Sequence, residues 1–116
     1  MKDQFTLILM LSLMTAKKLT NTSIKELISR RRRQILVHSI IYYRLNDNLI
    51  PDSTWAAWAV ELKQLQDQYP EIAKQCCYAD AYKDFDPSTG YNLPLYDEKA
   101  ISVAHHLINY RDKKGI

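Results

Sequence analysis

A chain of 116 residues with 47% hydrophobic and 25% charged residues has the length for one core, not two, and is too apolar for a disordered tail. Two glycines and four prolines exclude a loop-rich or many-turned all-β chain, and long uninterrupted runs favour helix. The net charge of +3 is mild but lopsided: residues 1–50 carry nine Lys/Arg against three Asp/Glu, residues 51–116 seven against ten.

The chain opens on the apolar run Phe5–Met14 behind Lys2. It has the character of a signal core but is too short to span a bilayer, and Met14 stands where a cleavage site at Ala16 would want a small residue. Three readings stay open: a packed or frayed extra segment, translation starting at Met14, or a true signal. Residues 1–22 are therefore set apart from a single small domain over 23–116.

Ser23 to Glu26, "SIKE", has the form of a capping box and predicts a helix from about Ile24 to Leu45. Its apolar positions are Ile24, Leu27, Ile28, Ile35, His38, Ile41, Tyr42 and Leu45, spaced by threes and fours. Within it lies "RRRR", Arg30 to Arg33; four consecutive residues point around the whole circumference, so they form no single stripe. Either they are solvated or, with Lys17 and Lys18, they meet an anionic partner such as phosphates or an acidic protein.

Asn46-Asp47-Asn48 tolerates the left-handed turn of a helix end. Pro51 keeps Ile50 extended, Asp52 is placed to cap, and a second helix is predicted from Ser53 to about Tyr69. Trp55, Trp58, Ala59, Leu62, Leu65 and Tyr69 form its apolar face. The two helices then pair antiparallel, with the tryptophans sealing against Ile41, Tyr42 and Leu45.

Pro70 suits the first turn of a short helix over Glu71–Tyr78. The adjacent Cys76 and Cys77 are poorly placed for a mutual disulfide, and no spaced cysteine framework exists, so a reducing cytoplasm is the simpler setting. Asp86 to Gly90 reads as a turn inside a small β-hairpin. A last helix over Asp97–Tyr110 uses Ala100, Ile101, Val103, Ala104, Leu107 and Ile108, and Lys113-Lys114-Gly115 suits its end. The adjacent His105 and His106 diverge by about 100° on a helix, as would the cysteines, so neither pair clamps a metal. The expected fold is mainly α: an antiparallel helical hairpin over 23–72, then a 73–116 extension with a small β-hairpin and a C-terminal helix.

The stretch "IYYRLNDNLIPDSTWAAWAVELKQLQDQYPEI" resembles the N-terminal helical subdomain of bacterial NAD-dependent DNA ligases. The similarity lies in "YY", "LIPD", the tryptophan, "ELKQLQ" and "YPEI", with spacing kept, and extends over about 45 residues when "RRRQILVHSI" is included. In those ligases the subdomain clasps the nicotinamide mononucleotide (NMN) half of NAD. The resemblance implies that Tyr42 and Asp52 match a tyrosine and an aspartate of that pocket. Tyr43 stands where the family has histidine or another ring, and Trp55 replaces a tyrosine. Ala56 stands where a second aspartate is usual, so one ribose- or amide-binding carboxylate is absent. No Lys-x-Asp-Gly motif, zinc finger or helix–hairpin–helix repeat accompanies it, so the chain does not ligate. Short stand-alone relatives of this subdomain are often encoded by phages and prophages, and this sequence looks like one of them.

Three functional readings follow. The first is a non-catalytic interaction module, by which a mobile element binds a protein partner such as a host nuclease, ligase or defence complex through arginines and exposed tyrosines. The alternative is an NMN/NAD-type nucleotide-binding module, with Tyr42, Tyr43 and Trp55 as stacking faces and Asp52 as acceptor. A further alternative is nucleic-acid binding through Lys17, Lys18 and Arg30, Arg31, Arg32 and Arg33. Asp80, Asp84, Asp86 and His105 lie in no spacing that demands chemistry, so no enzyme, metal or resident cofactor is expected.

Overall fold

A computed structural model describes residues 20–114, so the expectations on the apolar N-terminal run, on Lys17 and Lys18 and on Gly115 lie outside the described residues. Among the described residues five helices follow in order: α1 (Asn21–Tyr43), α2 (Asp52–Gln68), α3 (Pro70–Ala73), α4 (Ala79–Tyr82) and α5 (Glu98–Lys114). The helical class is as expected; the β-hairpin is not, since no strand occurs among the described residues.

Helix α1 starts a turn before the anticipated capping box. Thr20 is its N-cap, its Oγ1 accepting from the Ser23 amide at 3.1 Å. Ser23 thereby becomes an interior first-turn residue, and Ile24 joins the core. The last turn closes at Tyr43, with the Ile40 and Ile41 carbonyls taken by the amides of Arg44, Leu45 and Asp47. Asn46 turns left-handed at φ 53°, as its residue type allows.

Both α2 and α5 pack on α1, and α3 touches it as well. That central position explains why α1 buries Ile35, Leu36, Val37, Ser39, Ile40 and Ile41 in close succession, more than a one-sided amphipathic helix would. Tyr42, expected inside, is more than half exposed. On α2 the buried residues are Ala59, Leu62 and Leu65. The tryptophans pack against the core cluster that includes Ile41 and also meet polar residues of α1. The Trp55 Nε1 donates to Ser39 Oγ at 3.2 Å, while Trp58 lies against His38 and under Arg31.

The anticipated helix over 71–78 is cut to the single turn of α3. Arg32 draws the carbonyls of Cys76 and Cys77 toward itself, and Tyr78 adopts a left-handed φ of 59°, which no helix continues through. The Tyr78 hydroxyl donates to Asp97 Oδ2 at 3.0 Å, and the same oxygen caps α5 by accepting from the Ala100 amide at 2.9 Å.

The backbone–backbone bonds of residues 83–97 are all local, such as Leu93 N to Gly90 O and Asp97 N to Pro94 O, so no ladder forms. The segment lies on the helices and inserts Phe85, Leu93 and Leu95 into the core. Two residues of its turn do behave as expected: the Asp86 carboxylate accepts from the Ser88 amide and hydroxyl at 2.9 and 2.7 Å. Helix α5 then buries Ala100 and Ala104, whose small side chains let two backbones approach; Val103, expected on this face, is exposed. Its last turn is tied down by Arg111, which donates twice to Asp47 at 2.9 and 2.8 Å.

Candidate functional site

The corner between α1 and α2 forms one wall of a cleft of about 310 Å³, and the turn Pro87–Thr89 forms the other. Tyr42, Tyr43, Asp52 and Trp55, the residues singled out for a flat-ring ligand, all line it, together with His38, Ser39, Asn48, Leu49 and Ile50. Ala56 lines it too, at the place where the resembling ligases carry a carboxylate.

Local structure positions each group. Asp52 is not the cap of α2: Pro51 holds that position, and its carbonyl accepts from the Thr54 and Trp55 amides. Asp52 is the first helical residue and its carboxylate makes no capping bond, so it stands at the positive end of the helix with acceptor capacity in hand. The Trp55 ring is fixed by its bond to Ser39, which leaves one edge toward the cleft.

Tyr43 meets the opposite wall. Its hydroxyl shares a hydrogen bond of 3.2 Å with Thr89 Oγ1, and its ring stands edge-on to Tyr42 and Tyr91 at 4.9 and 5.5 Å. Gly90 makes this wall possible. A Cβ there would lie 2.2 Å from Ser39 Oγ and 3.2 Å from Trp55 Cζ2, so only glycine lets the turn sit on α1 this closely.

His38 was read from the sequence only as an apolar-face position. It is half-buried, its Nδ1 is out of solvent with no hydrogen-bond partner among the described residues, and burial holds its pKa below the usual imidazole value. The ring is therefore neutral at pH 7 and has one nitrogen still to satisfy. Its i,i+4 relation to Tyr42 was a readable signal that both share a helix face. The contribution of Pro87–Thr89 had none, because it is a contact across the fold.

The four arginines have four different surroundings. Arg31 pairs with Glu61, donates to Gln34 at 2.6 Å and lies over the Trp58 ring at 5.5 Å. Arg32 is 2% exposed and donates to Gln66 Oε1 and to the Cys76 and Cys77 carbonyls. Only Arg30 and Arg33 remain exposed, so the patch expected from "RRRR" contracts to those two. Cys76 is buried and Cys77 exposed, both as free thiols, and His105 and His106 are exposed. No group of three or more metal-ligating side chains converges among the described residues, and no helix there is long and apolar enough to cross a membrane.

No family model, curated protein or solved structure matches the chain. The likeness to the ligase subdomain thus rests on the quoted residues alone.

Proposed function

We propose that the chain is a non-catalytic, ligase-related binding module whose cleft takes a flat-ring nucleotide of the NMN or NAD type. The observation that carries this reading is the convergence of Tyr42, Tyr43, Asp52 and Trp55 on one cleft of about 310 Å³. That volume is of the size that holds small ligands. The aromatic faces offer stacking, and the uncapped Asp52 carboxylate accepts from a ribose hydroxyl or a carboxamide. Ala56 removes a second acceptor, so affinity falls below that of a two-carboxylate pocket.

A second reading, recognition of a protein partner of the phage or its host, is favoured by the tyrosines outside the cleft. Tyr91 and Tyr96 are 67% and 75% exposed, and Arg44 stacks on Tyr96 at 4.1 Å, a pairing of residue types common at binding hot spots.

Calorimetric titration of the chain with NMN and with NAD tests the first reading. The expected result is saturable heat that disappears in Asp52→Ala and in Trp55→Ala, and a melting temperature that climbs with ligand. Ligand at about 100 times its Kd adds roughly 2.7 kcal/mol to stability. Absence of heat at millimolar ligand would remove the nucleotide reading and leave the tyrosine surface as the working face.

A further inference from the structure

We propose that the N-terminal half of α1 carries a second site, a docking stripe for the phosphodiester backbone of a polynucleotide, formed by Lys25, Arg30 and Arg33 around Ser29. These residues, with Glu26, line an open depression of about 440 Å³. Lys25, Ser29 and Arg33 recur every fourth residue, so they form one row about 12 Å long, and Arg30 flanks it.

The fold sorts the arginine run into this stripe. Arg31 and Arg32 are turned to α2 and to the 76–77 carbonyls, while all three cations of the stripe are exposed. Among the described residues no salt bridge engages Lys25, Arg30 or Arg33. Arg33 donates to the Cys77 sulfur at 3.7 Å, a weak acceptor that leaves the charge unneutralised.

The composition of the depression selects the partner. Protein interfaces are anchored by desolvated apolar and aromatic groups, and this surface has none. Phosphate contacts need exposed cations and hydroxyls, and here three cations and the Ser29 hydroxyl outweigh the one carboxylate, Glu26. Its openness and its extent along two helical turns fit a repeating charge better than a single enclosed anion. Arg30 and Tyr42 are 12 residues apart, about 18 Å along the helix axis, so this site is separate from the cleft and stands whether or not nucleotide binds there.

The test is fluorescence anisotropy of the full chain with a labelled single strand of about 20 nucleotides and with its duplex, across salt. Three phosphate contacts contribute about −2 to the slope of log affinity against log salt for a single strand, a loss of roughly 20-fold between 50 and 200 mM. Arg30→Ala with Arg33→Ala is expected to weaken binding and flatten the slope by about 1.4. The pair Lys83→Ala and Lys99→Ala, exposed but on other segments, is expected to change neither. The replaced arginines are at the surface, so circular dichroism of the double variant should match the parent. The proposal is overturned if nothing binds at 50 mM salt or if the arginine variant keeps the parent slope. It is overturned as well if polyglutamate at equal charge displaces the strand completely, which would mark an acidic-protein site.

Discussion

Arg32 is a cation in the core, and among the described residues no carboxylate pairs with it. Its charge is met by the Gln66 amide oxygen, by two backbone carbonyls and by the face of Tyr82 at 5.6 Å. The set closes on itself. Tyr82 donates its hydroxyl to the Arg32 carbonyl at 2.7 Å, and Gln66 Nε2 donates to the Tyr82 carbonyl at 3.0 Å. Burial lowers the Arg32 pKa and raises that of Tyr82, since both charged forms are disfavoured there. A fully hydrogen-bonded network of this kind fixes geometry, and a broken one leaves buried acceptors unpaired. Arg32→Ala is accordingly expected to cost about 3 kcal/mol or more, from the orphaned carbonyls and the vacated volume. Arg32→Lys should also lose stability, because an ammonium cannot reproduce the planar fork. Urea denaturation reads both; an unshifted midpoint in Arg32→Lys would show that the fork is dispensable. Nothing in "RRRR" marks its third member as the buried one. That choice depends on Gln66, Cys76 and Tyr82, which lie 34, 44 and 50 positions away.

Among the elements, the helices of the corner were legible and the connections after them were not. Helices α1 and α2 follow from threes-and-fours spacing bounded by Asn46–Asn48 and by Pro51, signals that act within a few residues. The cap of α1 was misplaced because Thr20 and Ser23 are both competent caps; the earlier one lets Ile24 be buried inside a helix. The turn at Asp86–Gly90 was also real. Its flanks, however, had no edge to pair with, so Phe85, Leu93 and Leu95 are buried from irregular backbone. Of the cleft, four lining residues were named from local motif, and the 87–89 wall was invisible for the same reason as the Arg32 network. Gly90→Ala tests how that wall is held. The added methyl meets Ser39, which is packed inside α1 and cannot retreat, so a loss of about 1–3 kcal/mol is expected. Quenching of Trp55 fluorescence by acrylamide should rise as the turn lifts. A stable variant with unchanged quenching would mean that the turn repacks without opening the cleft.

For the molecule as a whole, the titrating groups predict two separate losses of stability on acidification. His38 has its pKa held below 6.5 by burial. As pH falls below 6.5 the unfolded imidazole takes up a proton that the native one refuses. Stability therefore declines through that window and levels off below the native pKa. The carboxylates act lower down. Asp47, bonded by Arg111, and Asp86, bonded by Ser88, are held below 3.8, so their contributions are present above 3.8 and vanish as pH falls through the depressed values. Melting curves from pH 8 to pH 3 should show both steps, and His38→Gln should erase only the upper one. An upper step that survives in His38→Gln would belong to another group.

The meeting of Ser39, Trp55 and Gly90 also sets a birth order for the cleft. Ser39 comes from α1, Trp55 from α2 and Gly90 from the late turn, and their close approach sets the Pro87–Thr89 wall against the corner. A nascent chain ending at residue 72 already holds every residue that carries the ligase likeness, yet it lacks the far wall. The cleft is thus complete only once residues 87–90 have joined the corner, and a fragment cut to the resembling segment would keep the signature and lose the far wall.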